Sequence, residues 1–214
     1  LLITDYFFHM LHLGVILSGS GRTLENIFEH IEADKLDAEV AVVISNTSKA
    51  YGLVRAENHD VSSAVIRSKD FEDDQALSDA ITAKLAEHEV DLVVLAGFLK
   101  KYLVPPEFHH KVVNIHPALI PAFCGTGFYG HHVHQAAIDY GVKVSGCTVH
   151  FADDEYDAGP VILQKTVPVY ADDTAEALAE RVFEAEKEAL PEAIQLIAEG
   201  RVRIEGRVVH IASK

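Results

Sequence analysis

A chain of 214 residues has room for one α/β domain with a good core. Its formal net charge of −15 excludes a nucleic-acid groove, which needs clustered Lys and Arg to neutralise phosphates. Two cysteines, Cys124 and Cys147, build no disulfide framework, so the chain reads as cytoplasmic.

The first twelve residues are apolar but interrupted by Asp5, His9 and His12. The run has no basic leader and is too short to span a bilayer, so no membrane partner is expected. Residues 1–12 read as an N-terminal extension and 13–214 as the domain. Residues 13–17 predict a buried first strand. Ser18-Gly19-Ser20-Gly21-Arg22-Thr23 follows, then a helix over 24–33 with Leu24, Ile27, Phe28 and Ile31 on one face. A glycine turn feeding a helix N-terminus presents free N–H groups to an anion. The dinucleotide fingerprint is incomplete, because Leu24 stands where its third glycine belongs. A second strand, 40–44, ends in Ser45-Asn46 where a ribose-binding acid would stand. A single phosphate fits this turn better than a dinucleotide. A tight turn capped by Ser and Thr fits it as well.

A third strand over 61–66, an amphipathic helix over 71–87 and a strongly apolar strand over 92–96 come next. This alternation predicts a Rossmann-like α/β fold: a single domain whose mostly parallel, twisted sheet carries helices on both faces. Ligands in such sheets sit beyond the carboxyl ends of the strands. Lys100-Lys101 stands out there in so acidic a chain. Phe98 and Tyr102 fit either the core or a ring-stacking wall.

Val112-Val113-Asn114-Ile115-His116-Pro117 is a fifth strand whose alternation puts Asn114 and His116 on one face. Pro117 has no N–H for further pairing. An amide beside an imidazole can hold a developing oxyanion and move a proton. Residues 117–130 read as a loop, 131–140 as a helix, 141–151 and 161–169 as strands, and 174–199 as a long helix. A closing hairpin pairs 201–204 with 208–211. The histidines 109, 110, 116, 131, 132, 134 and 150 carry no metal-ligand spacing, so no metal is expected.

Asn114-Ile115-His116-Pro117, Leu119-Ile120-Pro121, Thr148-Val149-His150-Phe151 and Asp157-Ala158-Gly159-Pro160-Val161-Ile162 form an ordered set. The set resembles the phosphoribosylglycinamide formyltransferases, which are folate-dependent. The resemblance runs from about residue 13 to 211. It implies transfer of the formyl group of 10-formyltetrahydrofolate, a co-substrate, to the amine of glycinamide ribonucleotide, with no metal. It implies a catalytic set of Asn114, His116 and Asp157, and a ribonucleotide site at Gly21, Arg22 and Thr23 with Glu186 near the amine. It implies a folate site at Leu99, Lys100, Lys101, Tyr102 and Asn114. Arg22-Thr23 stands where many members carry Ser-Asn, and Asp74 falls near an arginine of some members. In this scheme His116 is protonated, with Asp157 keeping it so. Partners would be small molecules only, with the chain a monomer or homodimer. Formyltetrahydrofolate deformylase is the alternative, although its members carry a second His where Pro117 stands. A non-catalytic nucleotide-binding module is the rival from another class.

Overall fold

The first strand, β1 (Leu11–Leu17), is the hub of a parallel array because nearly every residue in it is apolar and buried. The structure, a computed structural model, describes residues 10–213. The extension expected over 1–12 lies outside the described residues up to residue 9. β1 already begins at Leu11. His12 is tolerated in it because its N–H donates to Asp91 Oδ2 at 2.9 Å and its ring lies 3.1 Å from Glu39 Oε1.

The chain groups into two compact units, divided in sequence between Val113 and Asn114. In the first, β1 is followed by α1 (Arg22–Glu32), β2 (Ala38–Ser45), α2 (Tyr51–Asn58), β3 (Ser63–Val65), α3 (Asp74–Glu87) and β4 (Leu92–Leu95). β1 pairs in parallel with β2 and β4, and β2 with β3. Right-handed crossovers then put α1 and α2 on one face and α3 on the other. The order reverses between β1 and β4, so the loops after these two strands share the switch point of the unit. Ser18 N donates to Gly97 O at 3.1 Å, and Leu99 N to Ser18 Oγ at 2.9 Å. Leu13, Ile16, Leu24, Ile27, Ile44, Leu77 and Ile81 are fully buried here. Each such side chain stabilises the fold by roughly 1.5–3 kcal/mol.

Some bounds differ from expectation. The helix α2 was not expected at all, and β3 is three residues long. The third helix starts at Asp74 and not at 71, because Asp73 caps it by accepting from Ala76 N at 2.8 Å.

The second unit holds the end of β5 (Val112–His116), then α4 (His131–Tyr140), β6 (Val144–Phe151), β7 (Val161–Pro168), α5 (Ala175–Ala198) and a separate hairpin of β8 (Val202–Glu205) and β9 (Val208–Ile211). β6 and β7 are antiparallel, with an irregularity between Val149 and His150. The helix α5 packs on both, capped by Thr174, whose Oγ1 accepts from Ala177 N at 3.2 Å. Seven strands pair in the order β3-β2-β1-β4-β5-β6-β7. This is the expected Rossmann-like single α/β domain. No helix among the described residues is long and apolar enough to cross a membrane.

Gly146 opposes Thr166 across β6 and β7. A Cβ there would run into the Lys165 carbonyl and come within 2.9 Å of Leu119 Cδ2. The backbone oxygen cannot rotate away. Gly146→Ala is expected to lower stability by about 1–3 kcal/mol. The shift should show in the urea midpoint at unchanged m-value. An unmoved midpoint would mean that the two strands have room to spare.

Candidate active site

The site in the second unit is built on Thr148, a fully buried β6 residue that holds the loop after β5. Its hydroxyl donates to Ala118 O at 2.6 Å and accepts from Ile120 N at 3.1 Å and Gln164 Nε2 at 2.9 Å. Gln164, on β7, also donates to Ile120 O at 3.0 Å. The chain leaving His116 is therefore fixed by two neighbouring strands.

Asn114 and His116 share one face of β5, as alternation requires. Asp157 reaches them from the loop between β6 and β7. Its Oδ2 lies 3.5 Å from His116 Nδ1 and accepts from Gly125 N at 2.8 Å. Its Oδ1 lies 3.6 Å from His150 Nε2 and accepts from Asn114 Nδ2 at 3.4 Å. Asp157 and Phe123 both sit in the left-handed region, at φ 56° and 50°. That conformation is costly for a bulky Phe, and such residues concentrate where a site needs an atom aimed. Here the aimed atom is Phe123 O, 2.8 Å from His116 Nε2.

A carbonyl only accepts, so His116 Nε2 carries the hydrogen and Nδ1 faces the carboxylate. Burial pushes the His116 ring below its ordinary value, against the opposing pull of Asp157 and of the Phe123 carbonyl. Burial thus favours the neutral ring, while acceptors at both ring nitrogens favour the protonated one. The expected upward pull of Asp157 is present, but desolvation exceeds it. Burial would also push the Asp157 carboxyl up. The His150 and His116 rings when protonated, and the Gly125 N–H, outweigh it together and hold Asp157 below the usual carboxylate range. Asp157 is thus an ionised carboxylate beside the His116 ring.

His150 joins this cluster although no role was expected of it. Its Nδ1 donates to Phe151 O at 2.9 Å, so Nε2 is the lone-pair nitrogen and accepts from Asn114 Nδ2 at 3.1 Å. A carboxylate and a lone-pair nitrogen both demand donors, which fixes Asn114 with Nδ2 toward them. The strand alternation that puts His150 on the same face as Thr148 was the available signal. Glu186 lies on α5, where its charge, after burial, helps push the Cys147 thiol up to about 12.

The other expected residues belong to the first unit. Gly21, at φ 70°, is the N-cap of α1 and makes no side-chain cap. Arg22 and Thr23 are the next two residues of that helix. Leu99 and Lys100 are exposed after β4, beside the Gly19 turn through the Ser18 bonds. Tyr102 is buried with its hydroxyl 3.0 Å from Thr82 Oγ1, and burial pushes that hydroxyl up to about 12. Its ring is core, which leaves only its backbone to line a ligand. Asp74 opens α3. No group of three or more His, Cys, Asp or Glu among the described residues could hold a metal ion.

A family model described as formyl transferase matches residues 12–194. The chain is 36% identical over 209 residues to the phosphoribosylglycinamide formyltransferase of Haemophilus influenzae, covering 96% of this chain and 95% of that protein. It is 38% identical over 194 residues to the trifunctional purine biosynthetic protein adenosine-3 of Gallus gallus, covering 90% of this chain and 19% of that protein's length. Among solved structures, glycinamide ribonucleotide transformylase 1 from Symbiobacterium toebii superposes with a TM-score of 0.90 at 40% identity, over 96% of this chain and 95% of the other.

One more imidazole lies close enough to feel His116. His134, in the first turn of α4, is buried, and its Nδ1 has no hydrogen-bond partner among the described residues. Burial, helped by His131 and His116, pushes it down from 6.5 to about 4. The unfolded ring takes up a proton in that window while the folded ring does not, so acid favours unfolding there. From pH 7.5 to 4.5 this ring should remove about 2–3 kcal/mol of stability. His134→Leu should lose correspondingly less in urea unfolding at the two pH values. Asp157 does not confuse the reading, since its own loss begins only as pH falls through 3.8 and below. An identical acid loss in both proteins would rule His134 out as the source.

Proposed function

This chain belongs to the formyl transferase family, and on that premise we propose that it carries the formyl group of 10-formyltetrahydrofolate to the amine of glycinamide ribonucleotide, in purine biosynthesis. The observation that carries this reading is the partly buried cluster in which Asp157 meets Asn114 and His116 of β5. The folate supplies the formyl carbon. The neutral amine attacks it, forming the new N–C bond and placing negative charge on the formyl oxygen. His116 Nδ1 takes the proton the amine sheds, and the Asp157 carboxylate at 3.5 Å steadies the resulting imidazolium. The same proton passes to the folate nitrogen as its bond to the carbon breaks. Of the two Asn114 bonds, the 3.4 Å one to Asp157 is the looser. That hydrogen turns to the formyl oxygen, a contact of a kind worth ~3 kcal/mol in barrier height.

In this reading Gly21, Arg22 and Thr23 hold the ribonucleotide phosphate, and Glu186 stands near the amine. Leu99, Lys100, Lys101, the Tyr102 backbone and Asn114 line the folate. The two free cysteines support a cytoplasmic setting. The scheme needs no metal, and the chain acts as a monomer or homodimer.

Incubation with 10-formyltetrahydrofolate, with and without glycinamide ribonucleotide, tests the reaction. Folate consumption is expected only with the ribonucleotide present. Release of formate without it would assign a deformylase instead, and no consumption in either tube would leave a binding module.

Asp157→Asn removes the charge that raises His116, so the His116 value should fall further. The acid limb of the rate profile should move to lower pH while the plateau drops about 100-fold or more. His116→Ala should remove most activity, and adding Asp157→Asn should then cost little, because the two act as a unit. Multiplying losses, with a His116 NMR titration indifferent to Asp157, would separate the two residues.

A further inference from the structure

The turn between β1 and α1 does not shape itself; α2 shapes it. Gly52 N donates to Gly19 O at 3.2 Å, and Arg55 Nε donates to Ser20 O at 3.0 Å. Two consecutive carbonyls of the turn are therefore taken by one helix. A trans peptide points its N–H opposite to its C=O. Holding Gly19 O and Ser20 O toward α2 therefore turns the N–H groups of Ser20 and Gly21 away from it. The Thr23 and Leu24 N–H groups follow. As the first turn of α1 they have no carbonyl one turn earlier to bond, and the first such bond is Glu25 N to Gly21 O at 3.0 Å. Successive N–H groups turned one way form an anion-binding concavity. The approach is close enough to demand glycine, since a Cβ on Gly21 would come within 2.6 Å of Gly52 Cα.

Arg55 does more than hold one oxygen. Its Nη1 donates to Glu25 Oε2 at 2.7 Å, and its guanidinium lies 5.1 Å from the centre of the Tyr51 ring. One fork thus joins the turn, the first turns of α1 and the start of α2. It also neutralises Glu25, a carboxylate whose charge would otherwise oppose an anion at this helix end. Glu25 faces His59 as well, at 3.7 Å, but Arg55 is the nearer cation.

We infer that Arg55 is a positioning residue for the phosphate of the ribonucleotide, acting through the Ser20 carbonyl and Glu25; this rests on the reading of the Gly21 turn given above. Loss of a hydrogen bond to a charged group typically costs enough for about a tenfold change in affinity.

Arg55→Met is therefore expected to raise the ribonucleotide KM about tenfold, with kcat and the folate KM nearly unchanged. Inorganic phosphate, used as a competitive inhibitor against the ribonucleotide, should lose affinity by the same factor. Arg55→Lys keeps the charge but not the fork and should lie between Met and the native protein. Gly21→Val is the companion variant. If it raises the ribonucleotide KM while both Arg55 variants leave it unmoved, the turn binds phosphate and the inference about Arg55 is overturned. If Gly21→Val folds and leaves the KM unmoved, the reading of the turn fails first. A fall in kcat and a rise in both KM values together would make Arg55 a general structural residue. Should Arg55→Met not fold, Arg55→Lys alone decides, by a selective KM rise or by none.

Discussion

A buried carboxylate that stays ionised is the constraint on which the candidate active site depends. Asp157 lies in a loop, largely shielded from water, where an unpaired charge would be costly. Its lone pairs are met by the Gly125 N–H and by Asn114, and two imidazoles stand 3.5 and 3.6 Å away. Each of those groups is itself held. Asn114 is fixed by β5, His150 by the Phe151 carbonyl, and His116 by the Phe123 carbonyl. The left-handed backbone at Asp157 and Phe123 is the local cost of aiming these atoms. Thr148 anchors the loop that follows His116, so rotamers at the site rest on the strand pairing behind them.

Much of this was legible in the sequence. The apolar runs of β1, β2 and β4 read directly as buried parallel strands, and the Asn114 and His116 alternation placed both on one face. Motif order brought Asp157 into the set before any distance was known. The misses have physical reasons. The helix α2 has eight residues and includes Gly52, a poor helix former, so its propensity signal is weak. A Cβ on that glycine would come within 2.5 Å of Leu17 Cδ2, a tertiary demand that no local pattern carries. Tyr102 was left between core and ligand wall because an aromatic after a strand suits both. Only the bond to Thr82 on α3 decides for the core.

The balance of forces at His116 was only half legible, for a different reason. A carboxylate partner is visible in a motif, whereas the depth at which the pair is buried is not. Desolvation acts against the imidazolium before any neighbour is counted, and here it exceeds the favourable charge of Asp157. Sequence reading supplied the sign of one contribution and missed the larger one.

The proposed scheme starts from a neutral His116, the form that burial favours. A ring already protonated would offer a positive charge at the outset but could take no proton from an attacking amine. A neutral ring begins with its lone pair on Nδ1, the nitrogen that faces Asp157. Its charge then appears only when the amine's does, as the proton moves. The Gly125 N–H matters at that moment because it helps hold Asp157 below the usual carboxylate range. A carboxylate so held is a poor proton acceptor, so the proton rests on the imidazole and not on the acid. Burial makes the cation costly and Asp157 offsets that cost only once the proton has arrived, which is the condition for stabilising the charged stage of the reaction more than the resting enzyme.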